Sequence, residues 1–158
     1  MMHMPKLAVL LLLAAMTFAS AADLPTKKWL NLEAIKTMVA AAEAEAQKRN
    51  VQVTICIVDE SANLLFLQKA DNASLNTIDF AQKKARHAAL YGRPSKDAAD
   101  QLKNGNLGVL VYPGAFPNQG GLPIKVDGRT IGAIAASGAA SEVDEAIAQT
   151  AIDALLKK

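Results

Sequence analysis

Apolar residues along the chain alternate between two periods, and the changes between them predict the elements. Leu32, Ile35, Val39, Ala42 and Ala46 recur at spacings of 3, 4, 3 and 4, the signature of a helix with one buried face. Asn31 stands at its start as an N-cap, so a first helix is predicted over Asn31–Arg49. Val51–Val58 is β-branched and alternating, with Leu64–Gln68 as its hairpin partner across Asp59-Glu60-Ser61-Ala62-Asn63. Asn63 is expected to take the left-handed turn position. Alternation places Thr54, Cys56 and Val58 on one strand face and Ile55 and Ile57 on the other.

Ser74–Tyr91 is predicted as a second helix, closed by Gly92 and Pro94. Ser95 is expected to cap a short helix running to Lys103. Asn104-Gly105-Asn106 reads as a turn and Leu107–Tyr112 as a strand, followed by a loop over Pro113–Gly121. Leu122–Val126 and Arg129–Ala136 form a second hairpin across Asp127-Gly128. Ser141 is expected to cap a last helix, with Asp144 three positions on, and Ile147, Ala151, Ala154 and Leu155 give that helix its apolar face. Hairpins imply antiparallel pairing, and helices must cover such a sheet, so the class is α+β.

Composition narrows the chemistry. Of 158 residues, 51% are apolar but only 4% are aromatic, so the core is built from Ala, Val, Ile and Leu. Met1–Lys6, the apolar run Leu7–Phe18 and Ala19-Ser20-Ala21 read as the three parts of a secretory signal peptide. The run is shorter than the ~20 residues of a membrane span. The expected division is therefore 1–21 signal peptide and 22–158 one domain, in the periplasm or secreted, with no membrane span after cleavage. Loss of Lys6 leaves 16 basic residues against 15 acidic, a near-neutral domain with no electrostatic case for nucleic acid. It retains one His (His87), one Cys (Cys56) and one Met (Met38). A lone Cys forms no internal disulfide, and Cys and His are too few for a structural zinc site. No nucleophile elbow, phosphate-binding loop or dinucleotide fingerprint is present.

The segments "GGLPIKVDGRTIGAIAASGAASEVDEAIA", "IVDESANLLFLQKADNAS" and "AQKKARHAALYGRPSKD" resemble the GlcG/HbpS family, also called DUF336 or PduO C-terminal-like, across nearly all of the chain after residue 21. The resemblance implies a profilin-like α-β-α sandwich with a five-stranded antiparallel sheet. It also implies a homo-oligomer, in some members an octamer, and haem as ligand in several members. Three departures stand out. Ala135 replaces a family glycine. Lys69-Ala70-Asp71-Asn72-Ala73 lacks an arginine that is not interchangeable with lysine. His87 stands where the family usually carries Thr.

Phe80, Lys84, His87 and Tyr91 share a stripe at spacings of 4, 3 and 4, and Ile78, Ala81, Ala85 and Ala88 form another, assigned to the sheet. The His87 stripe is then expected to be partly exposed or in a subunit interface. With haem as the implied cofactor, His87 is the candidate iron ligand. Phe80 and Tyr91 would pack on the macrocycle, and Lys84, with Lys83 and Arg86, would meet its propionates. Gly120 and Gly121 are candidates for an anion-binding nest of backbone N–H groups; packing is their structural role. Cys56 and Met38 read as core residues, and Glu142, Asp144 and Glu145 as complements to a helix dipole.

Three functions compete: a secreted haem-binding protein for storage, delivery or sensing; an enzyme or accessory protein acting on a small organic acid; and an oligomeric interaction protein for a sensor. An enzyme needs an acid/base pair in a pocket, and Asp59 and Glu60 with His87 are the one combination on offer.

Overall fold

The computed structural model describes residues 22–157. The expected signal peptide, residues 1–21, lies outside the described residues. Element order is α1 (Leu32–Lys48), β1 (Thr54–Asp59), β2 (Leu64–Lys69), α2 (Thr77–Tyr91), α3 (Ser95–Lys103), a 3-10 helix (Leu107–Val111), β3 (Gly121–Val126), β4 (Arg129–Ser137) and α4 (Ser141–Leu156). The strands form one antiparallel sheet in the order β2-β1-β4-β3. The layered α+β architecture follows the sequence pattern. Among the described residues the sheet has four strands, not five.

The missing strand is Leu107–Tyr112. A short apolar run does not by itself distinguish a strand from a helical turn. Here the Asn106 side chain accepts from Gly108 N at 3.1 Å and starts a 3-10 helix instead. Val109 alone of that helix is buried, and Leu107, Leu110 and Val111 stay exposed.

Strand alternation sorts the core into two halves. Ile55, Ile57, Ile124 and Ile134 face α1 and α4, packing with Met38, Val39, Ile147 and Ile152. Cys56, Val58, Ala133 and Ala135 face α2 and meet Ala81, Ala85, Ala88 and Ala89. The second half is made almost wholly of small side chains, so α2 lies close on the sheet.

Two caps and one turn position depart from expectation. Asn31 does cap α1, accepting from Ala34 N at 2.8 Å. Ser95 is instead the first residue of α3, after Pro94, and its hydroxyl bonds across to Asn118 O and Gly121 N. Ser141 is likewise inside α4, with Ala140 at the cap. In the β1–β2 turn Ala62, not Asn63, takes the left-handed position. The Asp59 carboxylate explains this, because it accepts from Ser61 N, Asn63 N and Asn63 Nδ2 and closes the turn around Ala62.

Close approach is tightest at the start of β3. A Cβ on Gly121 would collide with the backbone carbonyl of Lys84 on α2. We expect Gly121→Ala to lower stability by about 2 kcal/mol or more, since neither backbone can yield without moving a helix. Urea denaturation checks this.

Candidate functional site

Helix α2 carries the residues singled out by the sequence. Its first stripe packs on the sheet as expected, with Ala81, Ala85 and Ala88 fully buried. The second stripe is not an exposed face. Lys84 and His87 are 2% and 4% exposed, and Phe80 and Tyr91 are half-buried. The reason is the segment Tyr112–Gly121, which folds back over α2. Phe116 meets Phe80 edge-on, ring centroids 5.4 Å apart, and Tyr91 Oη donates to Pro113 O at 2.6 Å.

Lys84 and His87 serve different ends. Lys84 Nζ donates to Asp144 Oδ2 at 2.9 Å and to Ala136 O at 3.2 Å, buried at both partners. Asp144 Oδ1 accepts from Ala139 N. Lys84 is thus an internal tie between α2 and the first turn of α4, turned away from any propionate. Lys83 pairs with Asp79 and Arg86 donates to Ala62 O, so the three basic residues do not converge.

The glycine pair belongs to the same tie. Gly120 has φ 125°, and a Cβ there would come within 2.9 Å of Lys84 Nζ and 3.0 Å of Asp144 Cβ. Gly121 N donates to Ser95 Oγ at 2.9 Å, and both glycines are buried. The expected nest at Gly120 and Gly121 is corrected to a packing role: the Gly121 N–H is already bonded, and the space over Gly120 is filled by the ion pair.

His87 Nδ1 accepts a hydrogen bond from Phe116 N at 3.0 Å. A neutral imidazole accepting at Nδ1 carries its proton on Nε2. Tyr91 packs beside it at 4.8 Å between centroids. Around the ring is a crevice of only about 10 Å³, lined by groups including Tyr91, Arg93, Asp97, Gln101 and Tyr112. That volume holds about one water, to which Nε2–H can donate. Burial holds the His87 pKa below its usual 6.5, Arg93 adds to the effect and Asp97 opposes it.

These facts test haem against His87. A metal-bound His donates its other ring N–H to an acceptor. Here the other nitrogen faces a donor, and the crevice has no room for a macrocycle. The residues as folded do not fit an iron at His87. Cys56 offers no thiolate, since burial pushes its pKa up to about 12 against the smaller pull of Arg86, and Met38 is enclosed in the core. The acid/base combination is not assembled either: Asp59 is spent on its turn, and Glu60 pairs with Lys27.

The Lys84–Asp144 pair is the polar centre that sequence reasoning missed. The partners lie 60 positions apart, and no local pattern links them. Lys84→Met should cost about 3–5 kcal/mol, because it leaves Asp144 buried and unpaired. Adding Asp144→Asn should recover part of that loss in a double-mutant cycle.

His87 predicts a pH effect of definite sign. Its folded pKa lies below its unfolded one, so between the two the unfolded chain binds the extra proton. Stability is then full above about pH 6.5 and falls as pH drops through that window. Urea midpoints measured from pH 7.5 downward should show the fall in the parent. His87→Gln, whose amide oxygen can still accept from Phe116 N, should lack this component.

Residues 30–153 match the family described as haem degrading protein HbpS-like. Protein GlcG of Escherichia coli K12 is 35% identical over 112 residues, covering 71% of this chain and 84% of GlcG. A crystal structure of a double mutant of Streptomyces reticuli HbpS superposes with a TM-score of 0.77 at 29% identity, covering 92% of this chain and 99% of that one. The crystal structure of a PduOC:heme complex does so with a TM-score of 0.75 at 28% identity, covering 80% and 95%. The small-residue seam under α2, the glycine pair at β3 and the hairpin across Asp127-Gly128 all fall within the matched span, and the chain belongs to the HbpS-like family.

Proposed function

We propose that this chain is a haem-binding protein of the HbpS type, exported by its N-terminal segment and serving haem storage, delivery or sensing. The observation that carries this reading is the family match over residues 30–153, joined to the likeness to a relative crystallised with haem. Export rests on the pattern of residues 1–21. Among the described residues no helix is long and apolar enough to cross a membrane.

The His87 geometry shapes the proposal. Coordination through Nε2 requires the proton to move to Nδ1, where it would face Phe116 N–H, so His87 is left out of the ligand set for the folded state. Its role here is to hold the segment Tyr112–Gly121 over α2. Titration of hemin, followed at the Soret band and in competition with apomyoglobin, tests the reading. Tight stoichiometric binding is expected, with His87→Gln close to the parent. Weak, non-saturable uptake would overturn it.

A second reading, an oligomer that docks a partner, draws on one observation. Leu90, Leu107, Leu110, Val111 and Tyr112 are all about half exposed or more, and they lie on the 3-10 helix, the residue after it and the end of α2. An apolar cluster of this kind marks an interaction surface. We assign it to self-association, which is compatible with haem binding. Val111→Lys is expected to lower the assembly mass in light scattering without changing the fold. An unchanged mass would remove this surface from the interface.

A further inference from the structure

Strand β2 is an edge of the sheet and, among the described residues, pairs with β1 alone. Helix α1 packs its buried face with isoleucines of β1, β3 and β4, and β2 adds only the half-buried Phe66 to that core. The end of β2 therefore overhangs the helix. A cavity of about 300 Å³ is left between the last turns of α1, the chain entering β1 and the end of β2. That volume stands at the lower end of small-molecule sites.

The apolar lining is Ala46, Val51, Val53 and Ile55, and the polar lining carries charge of both signs. Lys69 ends β2, and its Nζ donates to Ala70 O at 2.8 Å and to Asp71 O at 3.1 Å. Glu43 stands on α1, where its Oε1 accepts from Gln68 Nε2 at 2.5 Å. Neither Lys69 nor Glu43 forms an ion pair among the described residues. Each charge is held in place by neutral partners, and the two do not neutralise one another. Lys69 keeps a third N–H to donate, and the second oxygen of Glu43 keeps its acceptor sites. Asp71 adds a further carboxylate, exposed at the rim. One cation beside two carboxylates does not suit a simple anion.

Opposite charges fixed apart beside an apolar wall match a small molecule that carries both charges and an apolar group. We propose that this cavity binds a free α-amino acid with an aliphatic side chain. Lys69 Nζ takes the carboxylate, the free oxygen of Glu43 takes the ammonium, and the side chain rests against Val51, Val53 and Ile55. Charge-assisted hydrogen bonds of this kind are the strong ones. Little side-chain freedom is lost on binding, because the two carbonyls and Gln68 already hold both charged groups. The proposal is independent of the haem reading, since the cavity includes neither Lys84, His87 nor the segment 112–121.

The test is calorimetric titration of the full purified protein with leucine and with two analogues that each keep one charge. Isocaproate lacks the ammonium, and isoamylamine lacks the carboxylate. Leucine should bind saturably, and each analogue about tenfold more weakly or worse, the scale of one lost charge-assisted hydrogen bond. Lys69→Met should weaken leucine to the level of isoamylamine, and Glu43→Gln should weaken it to the level of isocaproate. Melting curves establish that both variants are folded, and the ligand series on the parent stands without them. No saturable binding of leucine, or an analogue that binds as tightly as leucine, refutes the site. A parent-like affinity for leucine in either folded variant refutes it as well.

Discussion

A lysine and an aspartate, almost wholly removed from water, tie the two faces of this molecule together. Lys84 belongs to α2 on one side of the sheet, and Asp144 to the first turn of α4, which packs on the other. Burying such a pair carries a large desolvation penalty, tolerable only when the remaining polar atoms are also satisfied. Ala136 O takes a second bond from Nζ, and Ala139 N donates to the other Asp144 oxygen. Room for the pair comes from Gly120, where any side chain would occupy the same space. Gly121 lets the start of β3 press on the backbone of α2. The glycines, the small residues of β4 and the acidic start of α4 therefore act as one constraint.

That constraint also explains why the Lys84–His87 stripe of α2 is covered. Held close on an alanine-lined sheet, it presents its second stripe to the returning segment 112–121. His87 becomes the acceptor that fixes this segment through Phe116 N, and Ser95 fixes it farther along through Asn118 O and Gly121 N. The residue type best suited to iron is thereby committed to loop packing. A proton placed on Nδ1 would oppose Phe116 N–H, so the charge state of one ring and the seating of one loop are coupled. Family membership points to a haem-related setting, and the geometry commits His87 and Lys84 to contacts within the chain.

The sequence determined the pieces whose causes are local. The periodicity of α1, its Asn31 cap, the hairpin turn at Asp127-Gly128 and the two faces of β1 all depend on neighbours a few positions away. The apolar stripe Ala81, Ala85 and Ala88 was legible for the same reason. Where several local solutions were open, the pattern misled. Leu107–Val111 is apolar enough for a strand, yet Asn106 and Gly108 wind it into a 3-10 helix that pairs with nothing. Ser95 and Ser141 have the chemistry of caps, but in the fold neither stands at the cap position, and the Ser95 hydroxyl bonds across to the returning segment. Ala62 rather than Asn63 turns left-handed, because the Asp59 carboxylate claims the amides on either side.

What only the tertiary structure decided is the environment of each polar group. The sequence set Lys84 and His87 on one stripe of α2 and suggested an open face. Burial, the pairing with Asp144 60 positions away and the hydrogen bond from Phe116 arise from contacts between distant segments, and helical spacing carries no information about them. The depression beside residues 27–30 has the same origin: Trp29, Val126 and Leu155 are far apart in the chain and line it together only when the sheet and α4 are in place. Spacing along a chain encodes which way a side chain points, whereas what it points at depends on how the layers close.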